Sequence, residues 1–428
     1  MRTPAALGLL FLALGCSAPS DRVEPPERIV LVVVDTLRRD HLGVYGGIAP
    51  TPHIDGLAAN GTVFRRALAA FHSTPTSMGA LFTGRSPSLE GDGRVLVWNQ
   101  HTWCGLARFA DGERDACVPE GLPTLAERMR ERGYWTAGVH SHPLLGRDAG
   151  FARGFQRWQE LPGASRHLAF GAKNTPVFAA ARAGRHVNAA VEETLDARPS
   201  DRFFLYVHYL DAHDWHLAHQ PYTEAVTAAD AVVGELLALL EERGLRDGSV
   251  IVLTSDHGES LGERHFQPPR ARHAGNPSFE TVLRVPLVVS DVRLPGADDP
   301  IRGDELHGLL VRLAGGEVPA PDVPPGEQLV TESRWRVYRS GRWKSYWPRT
   351  PGAPRLVDLS TDPEERHDVA SEHPEVLAAH RRAIEGHVAR LALAGKVDGD
   401  LDPEQRERLR ALGYLEPAYD LDTPAEAR

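Results

Sequence analysis

The chain has 428 residues, of which 42% are hydrophobic and 25% are charged, and its formal net charge is −10. This composition is typical of a globular protein with one large domain, or with a large domain and a smaller appendage. The negative charge and the absence of a basic run argue against nucleic acid as a partner.

The N-terminus has the pattern of an export signal. An apolar stretch from Ala5 to Leu14 follows Arg2, and it is too short to span a bilayer as a mature helix. Residues 1–16 are therefore predicted to be a secretory signal. The small residues before Cys16 are similar to a bacterial lipoprotein processing site, which predicts a lipid anchor on Cys16 and a periplasmic or cell-surface location. The alternative is a plain signal peptide with an incidental cysteine.

Strand-like and helix-like segments alternate after a polar, proline-containing tether at residues 17–28. Short continuous apolar runs predict buried strands, and the longer segments of helical period between them predict helices. The alternation predicts an α/β fold with a mostly parallel central sheet and helices on both faces, in a main domain at residues 29–330. The strand candidates are Ile29 to Val34, Phe203 to Val207, Val250 to Leu253 and Val285 to Val289, and the helix candidates are Thr124 to Arg132, Ala225 to Arg243 and Gly303 to Leu313.

The sequence changes character after residue 330. Aromatic and basic residues are frequent from Trp335 to Asp358, which predicts a small antiparallel sheet packed on the main domain. Pro374 to Leu412 has the pattern of C-terminal helices. Together these segments predict a C-terminal subdomain at residues 331–415, followed by a frayed tail at residues 416–428.

Two further cysteines, Cys104 and Cys117, remain once Cys16 is assigned to the processing site. An even pair in an exported chain predicts a disulfide that closes the loop between them. A loop of this size would stabilise the fold by about 3 kcal/mol in the chain-entropy model.

Metal-type ligands follow two of the predicted strands. Asp35 comes directly after Ile29 to Val34, and Asp256 and His257 come shortly after Val250 to Leu253. Ligands gather at the carboxyl ends of strands in open α/β sheets, carboxylates suit hard divalent cations, and an imidazole beside them extends the choice to manganese or zinc. The pattern predicts one divalent metal site. For either strand alone, the alternative is a core strand followed by a helix N-cap aspartate.

Two hydroxyl groups, those of Ser73 and Thr74, stand directly before Pro75, a residue that favours the first turn of a helix. The free backbone N–H groups of a helix N-terminus attract anions, so a hydroxyl there is well placed to attack phosphate or sulfate. The alternative is a helix N-cap with no chemistry.

The order of these segments resembles the sulfatase family within the alkaline phosphatase superfamily. Members of that family hydrolyse sulfate or phosphate esters, or transfer phosphoryl groups, with a metal-bound nucleophile. The resemblance therefore implies an alkaline phosphatase-like fold and an ester hydrolase. It extends from Ile29 to about Pro374. The matching blocks are the strand with Asp35, Leu81 to Arg85, Leu125 to Gly138, Tyr206 to His213, Thr254 to Glu259 with Leu261 and Gly262, His273 to Leu287, and Asp358, Leu359 and Asp362 to Glu364.

The resemblance also implies roles for single residues. Asp35, Asp256 and His257 match the family's metal ligands, and a metal-bound nucleophile at Thr74 would complete the set. Many calcium-binding sulfatases have Asn where this chain has His257, so calcium, manganese and zinc all remain candidates. His213 matches a histidine that contacts the ester or leaving-group oxygen. His273 falls where the family often has a Lys or His that touches the transferred anion.

The nucleophile motif departs from the family pattern. Sulfatases convert the first residue of Cys/Ser-x-Pro-x-Arg to formylglycine, but a motif beginning at Ser73 has Ser77 where Arg should stand. Counting back from Thr83 and Gly84 places the family nucleophile on Thr74, and threonine cannot become formylglycine. A metal-activated alkoxide of Thr74, with Ser73 as the alternative, remains chemically sensible and suits phosphoryl transfer at least as well as sulfate hydrolysis.

The predicted partner is an anionic ester, such as a sulfated or phosphorylated glycan, lipid or small molecule. Two alternatives to ester hydrolysis of this kind stay open. One is a phosphodiesterase or phosphotransferase that uses Thr74, and the other is a degenerate member that binds an anionic glycan or lipid head group without turnover.

Overall fold

The computed structural model describes residues 24–86, 118, 122–161, 183–216, 218–267, 278–321, 323–331, 335–348 and 351–390. Cys16, Cys104, Cys117 and His273 lie outside the described residues, so the expectations attached to them stay predictions. Among the described helices, none combines the length and apolar character needed to cross a bilayer.

The described strands are numbered in chain order. They are β1 (Arg28–Val34), β2 (Thr62–Val63), β3 (Arg66–Leu68), β4 (Trp135–His140), β5 (Arg157–Glu160), β6 (Phe203–Tyr209), β7 (Ser249–Thr254), β8 (Leu287–Val289), β9 (Pro300–Arg302), β10 (Glu327–Thr331), β11 (Trp335–Ser340), β12 (Trp343–Pro348) and β13 (Arg355–Asp358).

The described α-helices are numbered in the same way. They are α1 (Pro52–Ala59), α2 (Thr74–Thr83), α3 (Leu125–Glu131), α4 (Ala183–Asp196), α5 (Tyr222–Glu242), α6 (Glu280–Leu283), α7 (Gly303–Leu313) and α8 (Pro374–Arg390).

A seven-stranded sheet in the order β2-β8-β7-β1-β6-β4-β5 forms the centre of the described structure. The five strands from β7 to β5 are parallel, and β8 runs antiparallel to both β7 and β2 at one edge. A four-stranded antiparallel sheet, β10-β11-β12-β13, follows in the C-terminal part. Both the mostly parallel α/β architecture and the small antiparallel sheet predicted from the sequence are confirmed.

Strand β1 lies in the middle of the sheet, and all seven of its residues are buried. Successive side chains of a strand point to opposite faces, so a continuous apolar run suits a strand that is covered on both sides. Leu31 and Val33 join one hydrophobic core, whereas Val32 and Val34 join the other. Helices α2, α3 and α7 contribute to the first core, and α1, α4 and α5 contribute to the second.

A buried ion cluster connects the antiparallel sheet to the main sheet's domain. Lys344 of β12 has no exposed surface, and its Nζ lies 3.0 Å from Glu280 Oε1 and 2.8 Å from Glu365 Oε1. Arg284 also pairs with Glu280, and the Tyr346 hydroxyl donates to Glu365. Burial would raise the pKa of Glu280, but the surrounding cations hold that pKa well below its ordinary value. The Glu280 carboxylate is therefore charged and compensated inside the protein.

Glu365 also accepts hydrogen bonds from residues on both sides of residues 268–277. Its backbone oxygen accepts a hydrogen bond from Phe266 N at 2.9 Å, and its Oε2 accepts one from Glu280 N at 2.7 Å. Glu365 has a φ of +58°, the left-handed conformation that a non-glycine residue rarely adopts. One residue of the C-terminal part thus fixes the chain on both sides of residues 268–277.

Candidate functional site

The carboxyl ends of β7, β1, β6 and β4 lie side by side at one edge of the central sheet. Asp35 follows β1 directly, and Asp256 and His257 follow β7 after one intervening residue. Because β1 and β7 are hydrogen-bonded neighbours, these side chains converge although more than 200 residues separate them in sequence. This is the edge at which open α/β sheets bind ligands.

Asp35, Asp256 and His257 form a buried group with the chemistry of a metal site. One ligand atom from each lies within 4.8 Å of the other two. Asp35 Oδ1 and Asp256 Oδ2 are buried and accept no hydrogen bond from the described residues. An unsatisfied buried carboxylate oxygen is costly, and a cation bound between these oxygens would remove that cost. The donor set therefore fits a divalent metal ion.

The imidazole of His257 is held in the tautomer that a metal ligand requires. Its Nδ1 lies 2.9 Å from the carbonyl oxygen of Gly258, which can only accept a hydrogen bond. Nδ1 therefore carries the proton, and in a neutral ring Nε2 presents its lone pair to the cluster. His257 Nε2 lies 3.3 Å from Asp256 Oδ2.

Asp256 is oriented by the segments that meet at the sheet edge. Its Oδ1 accepts a hydrogen bond from Thr36 N at 3.3 Å, and its backbone oxygen accepts one from Ser77 Oγ at 2.5 Å. Thr36 has a φ of +56°, so the chain turns sharply just after Asp35. The hydrogen bond from Ser77 to Asp256 connects helix α2 to the metal-type ligands.

Thr74 lies against this cluster. It is the first residue of α2 and is fully buried, and Pro75 stands in the first turn as the sequence predicts. Thr74 Oγ1 lies 3.2 Å from His257 Nε2 and 3.4 Å from Asp35 Oδ2. The hydroxyl is thus within the group of atoms that would surround a cation.

Ser73 occupies a different position. It is the N-cap residue of α2 but makes no side-chain capping bond, and its Oγ lies 3.3 Å from Thr76 Oγ1. Its side chain is half-buried, and no hydrogen bond joins it to Asp35, Asp256 or His257 among the described contacts. The geometry therefore brings Thr74, rather than Ser73, to the ligand cluster.

Two histidines that sequence reasoning missed lie on the other side of Asp35. His208 Nε2 is 3.2 Å and His142 Nε2 is 3.5 Å from Asp35 Oδ2, and both rings are fully buried. His208 belongs to β6, and His142 follows β4. Burial would raise the pKa of Asp35, but His213 and His208 hold that pKa well below its usual range. The missed signal for His208 was a histidine in the last part of the apolar strand β6.

His213 lies in a short 3₁₀ helix just after β6 and is almost fully buried. Its Nδ1 is 2.9 Å from Asp214 Oδ1. Burial opposes the charged ring, but the charges of Asp35 and Asp214 outweigh that effect and raise the pKa of His213 to about 9. In its protonated form this side chain can donate a proton. His273 lies outside the described residues, so its place relative to the cluster stays a prediction.

Comparison with known proteins agrees with this fold. A sequence model of the Sulfatase family matches residues 27–294. Steryl-sulfatase from Rattus norvegicus is 24% identical and the match covers 91% of this chain and 94% of that protein. N-acetylgalactosamine-6-O-sulfatase from Bacteroides thetaiotaomicron is 20% identical, with 82% and 90% covered.

Solved structures show the same architecture. Ps i-CgsB in complex with k-i-k-neocarrahexaose superimposes with a TM-score of 0.64 at 21% identity, covering 91% of this chain and 97% of that one. The phosphonate monoester hydrolase of Agrobacterium radiobacter gives a TM-score of 0.60 at 16% identity, with 86% and 96% covered. At these identities the similarity speaks for the fold alone.

The family match and the relatives named as sulfatases identify a sulfuric ester hydrolase, and its buried group of Asp35, Asp256 and His257 has the chemistry that fits a divalent cation. Because the family model matches well over half of its residues, the chain belongs to the sulfatase family.

Proposed function

We propose that the protein is a metal-dependent hydrolase of sulfate or phosphate esters in which Thr74 is the nucleophile. The observation that carries the proposal is the position of Thr74 Oγ1, 3.2 Å from His257 Nε2 and 3.4 Å from Asp35 Oδ2. A divalent cation held by Asp35, Asp256, His257 and Thr74 would supply the Lewis-acid charge that makes the hydroxyl acidic and polarises the ester.

The residues of the chain then have separate tasks. The Thr74 hydroxyl passes its proton to Asp35 Oδ2, to which it donates a hydrogen bond, and its oxygen forms a bond to sulfur or phosphorus while the bond to the leaving alkoxide breaks. His213 in its protonated form gives that alkoxide a proton. Water then attacks the covalent ester and gives one proton to His213, while the Thr74 oxygen regains its proton from Asp35 and the inorganic anion leaves. The free N–H groups at the start of α2 stabilise the negative charge of the transferred group.

Threonine favours phosphate chemistry as a second candidate function. An aldehyde hydrate can expel sulfate without any attack of water on sulfur, but the side chain of Thr74 cannot form one. A phosphodiesterase or phosphotransferase needs no such step, because water or an alcohol can attack the phosphorus of a phosphothreonine. A degenerate member that only binds an anionic glycan or lipid head group is the remaining candidate.

A sulfated or phosphorylated glycan is the substrate class that we favour. Relatives include proteins named N-acetylgalactosamine-6-O-sulfatase, and a structural neighbour is described in complex with neocarrahexaose. Lipid and small-molecule esters remain in the proposed class.

The assay that tests the function compares aryl sulfate with aryl phosphate monoesters and diesters, after metal analysis of the purified protein. We expect about one divalent ion per chain and turnover of at least one ester class that is lost on chelation. Turnover of sulfate alone would support a sulfatase, and turnover of diesters would support the second candidate. Metal-loaded protein that binds sulfated glycans but turns over none of these esters would identify the degenerate binder.

We also propose that the protein is exported and anchored to a membrane by a lipid on Cys16, as the N-terminal sequence predicts. Mass spectrometry of the N-terminal peptide tests this proposal. A lipidated Cys16 and partition with membranes are expected, whereas an unmodified N-terminus at Ala18 or beyond in a soluble protein would contradict it.

A further inference from the structure

Tyr206, His208 and Asp35 form a continuous chain of buried polar groups beside the metal-type ligands. The Tyr206 hydroxyl lies 2.6 Å from His208 Nδ1, and His208 Nε2 lies 3.2 Å from Asp35 Oδ2. None of the three residues has any exposed surface. Both contacts therefore lie in the protein interior, away from bulk water. An unpaired polar group is costly in such an environment.

The sheet register produces this alignment. Tyr206 and His208 lie two residues apart on β6, so their side chains share one face of the sheet. His208 is paired with Val33 of β1. Asp35, two residues after Val33, lies on the same face of the sheet. The backbone of Asp35 continues the ladder through a 2.9 Å hydrogen bond from its N–H to the oxygen of Tyr209. The imidazole thus reaches Asp35 as a diagonal cross-strand neighbour.

The proton positions follow from the chemistry of the two ends. An ionised carboxylate can only accept hydrogen bonds, so His208 Nε2 must carry the proton that faces Asp35. In a neutral ring, Nδ1 is then the acceptor and the Tyr206 hydroxyl is the donor. Tyr206 keeps its proton because burial raises the pKa of its hydroxyl well above the ordinary value.

The tyrosine ring is itself fixed by the hydrophobic core. Phe82 meets it edge-on with 5.2 Å between ring centroids, and Trp158 lies parallel to it at 6.0 Å. The donor at the start of the chain of hydrogen bonds is therefore held in one place. At the other end of this series of hydrogen bonds, His208 contacts Asp35 Oδ2. Asp35 Oδ1 accepts no hydrogen bond from the described residues.

We propose that Tyr206 and His208 are positioning residues that hold Asp35 Oδ2, so that Asp35 Oδ1 is presented to the divalent cation. This inference rests on the proposed function, because it concerns the cation ligand Asp35. Hydrogen-bond partners of this kind orient metal ligands, and their loss typically weakens metal binding roughly ten- to a hundredfold.

The test measures cation affinity rather than turnover. Full-length protein freed of metal by chelation is titrated with Mn²⁺, Ca²⁺ and Zn²⁺ in a calorimeter, and the cation that binds the wild type most tightly is used for the variants. We expect Tyr206→Phe to weaken binding about tenfold and His208→Leu by more. His208→Gln should recover part of the loss, because its amide nitrogen can donate near the position of Nε2.

Tyr209→Phe is the matched control. Tyr209 lies on the same strand and is equally buried, but on the opposite face of the sheet, where its hydroxyl donates to Asn188 Oδ1 at 2.6 Å. A variant that affects cation binding only through general loss of stability should resemble this control. Thermal unfolding of each metal-free variant shows how far stability has changed.

The two single variants should also be non-additive. If Tyr206 acts through His208, then Tyr206→Phe should have little further effect on affinity in a His208→Leu protein.

The outcomes separate this inference from the function on which it rests. A wild type that binds none of the three cations would overturn both. Tight binding by the wild type, with equal affinity in Tyr206→Phe and Tyr209→Phe, would overturn the positioning role alone. Two cations per wild-type chain, one of which is lost in His208→Leu, would also overturn it, because His208 would then be a ligand.

Discussion

Thr74 Oγ1 lies 3.4 Å from Asp35 Oδ2, although 39 positions separate the two residues in sequence. The contact joins the start of a helix to the end of a strand, and it decides which of two adjacent hydroxyls meets the ligand cluster. Ser73, one residue earlier, has its hydroxyl beside Thr76 instead.

The first prediction concerns these two hydroxyls. Thr74→Ala should lose orders of magnitude in kcat because the nucleophile is gone, and Ser73→Ala should keep most of its activity. Thr74→Ser should retain measurable turnover, since it keeps a hydroxyl at the same position. Steady-state kinetics on whichever aryl ester the wild type hydrolyses provide the measurement.

The reverse pattern, with Ser73→Ala inactive and Thr74→Ala active, would show that the motif has been placed one residue out of register. An intact mass about two daltons low at Ser73 would indicate oxidation of its alcohol to an aldehyde, and hence the formylglycine mechanism.

The second prediction concerns metal content. Asp256→Ala and His257→Ala should each lose most of the bound divalent ion and the activity, while the protein stays folded. Both residues follow β7, whose buried core residues are untouched. Elemental analysis and circular dichroism of the purified variants give the two readouts. Full metal occupancy in Asp256→Ala would remove that residue from the ligand set.

The third prediction concerns the buried ion cluster. Lys344→Met should lower the free energy of unfolding by about 3 kcal/mol, because removing one partner of a buried ion pair leaves its carboxylate uncompensated. Arg381→Met is the control, since Arg381 pairs with Glu385 on the exposed surface of α8 and should change stability by less than about 0.5 kcal/mol. Urea unfolding at pH 7 compares the two. Arg339 Nη2 also lies 3.7 Å from Glu280 Oε2. Equal stability of both variants would therefore mean that Arg284 and Arg339 compensate Glu280 without the lysine.

The fourth prediction concerns acid stability. Burial lowers the pKa of His307 from 6.5 to about 4, and its Nδ1 lies 3.1 Å from the Leu81 oxygen of helix α2. As the pH falls, the unfolded chain takes up this proton first, so the contribution of His307 to stability is complete above about 6.5 and is lost toward about 4. The difference corresponds to about 3 kcal/mol.

His307→Asn keeps a donor for the Leu81 oxygen but cannot be protonated. The variant should therefore lose less stability than the wild type, by about 2 kcal/mol, between pH 7 and pH 4.5 in urea unfolding. An identical loss in the two proteins would show that His307 does not set the acid dependence. His380, whose pKa burial also lowers to about 4, supplies a second such contribution in both proteins.

The sequence was sufficient for the elements whose pattern is local. The run from Ile29 to Val34 is apolar at every position, so it favoured a strand covered on both faces, with Asp35 at the end of that strand. Helix α7 was predicted with the bounds that the structure shows, because an apolar face of helical period extends from Gly303 to Leu313.

The relationships that sequence could not supply depend on strand order. Nothing local indicates that β6 lies next to β1, so the contact between His208 and Asp35 was not predicted. Strand β4, Trp135–His140, contains a glycine and mixes polar with apolar residues, which concealed it and the site of His142 beyond it. A lysine such as Lys344 is usually exposed, and only the two carboxylates brought to it by the fold explain its burial.

The two hydrogen bonds that Glu365 accepts have a consequence for folding during synthesis. Phe266 N and Glu280 N, one on each side of residues 268–277, donate to the backbone oxygen and the carboxylate of Glu365. Glu365 is synthesised 85 positions after Glu280. A growing chain therefore cannot form the hydrogen bonds from Phe266 N and Glu280 N until residue 365 has emerged. A chain that stops short of Glu365 would contain Asp35, Thr74, Asp256 and His257, and yet it would lack the acceptor of both of these hydrogen bonds.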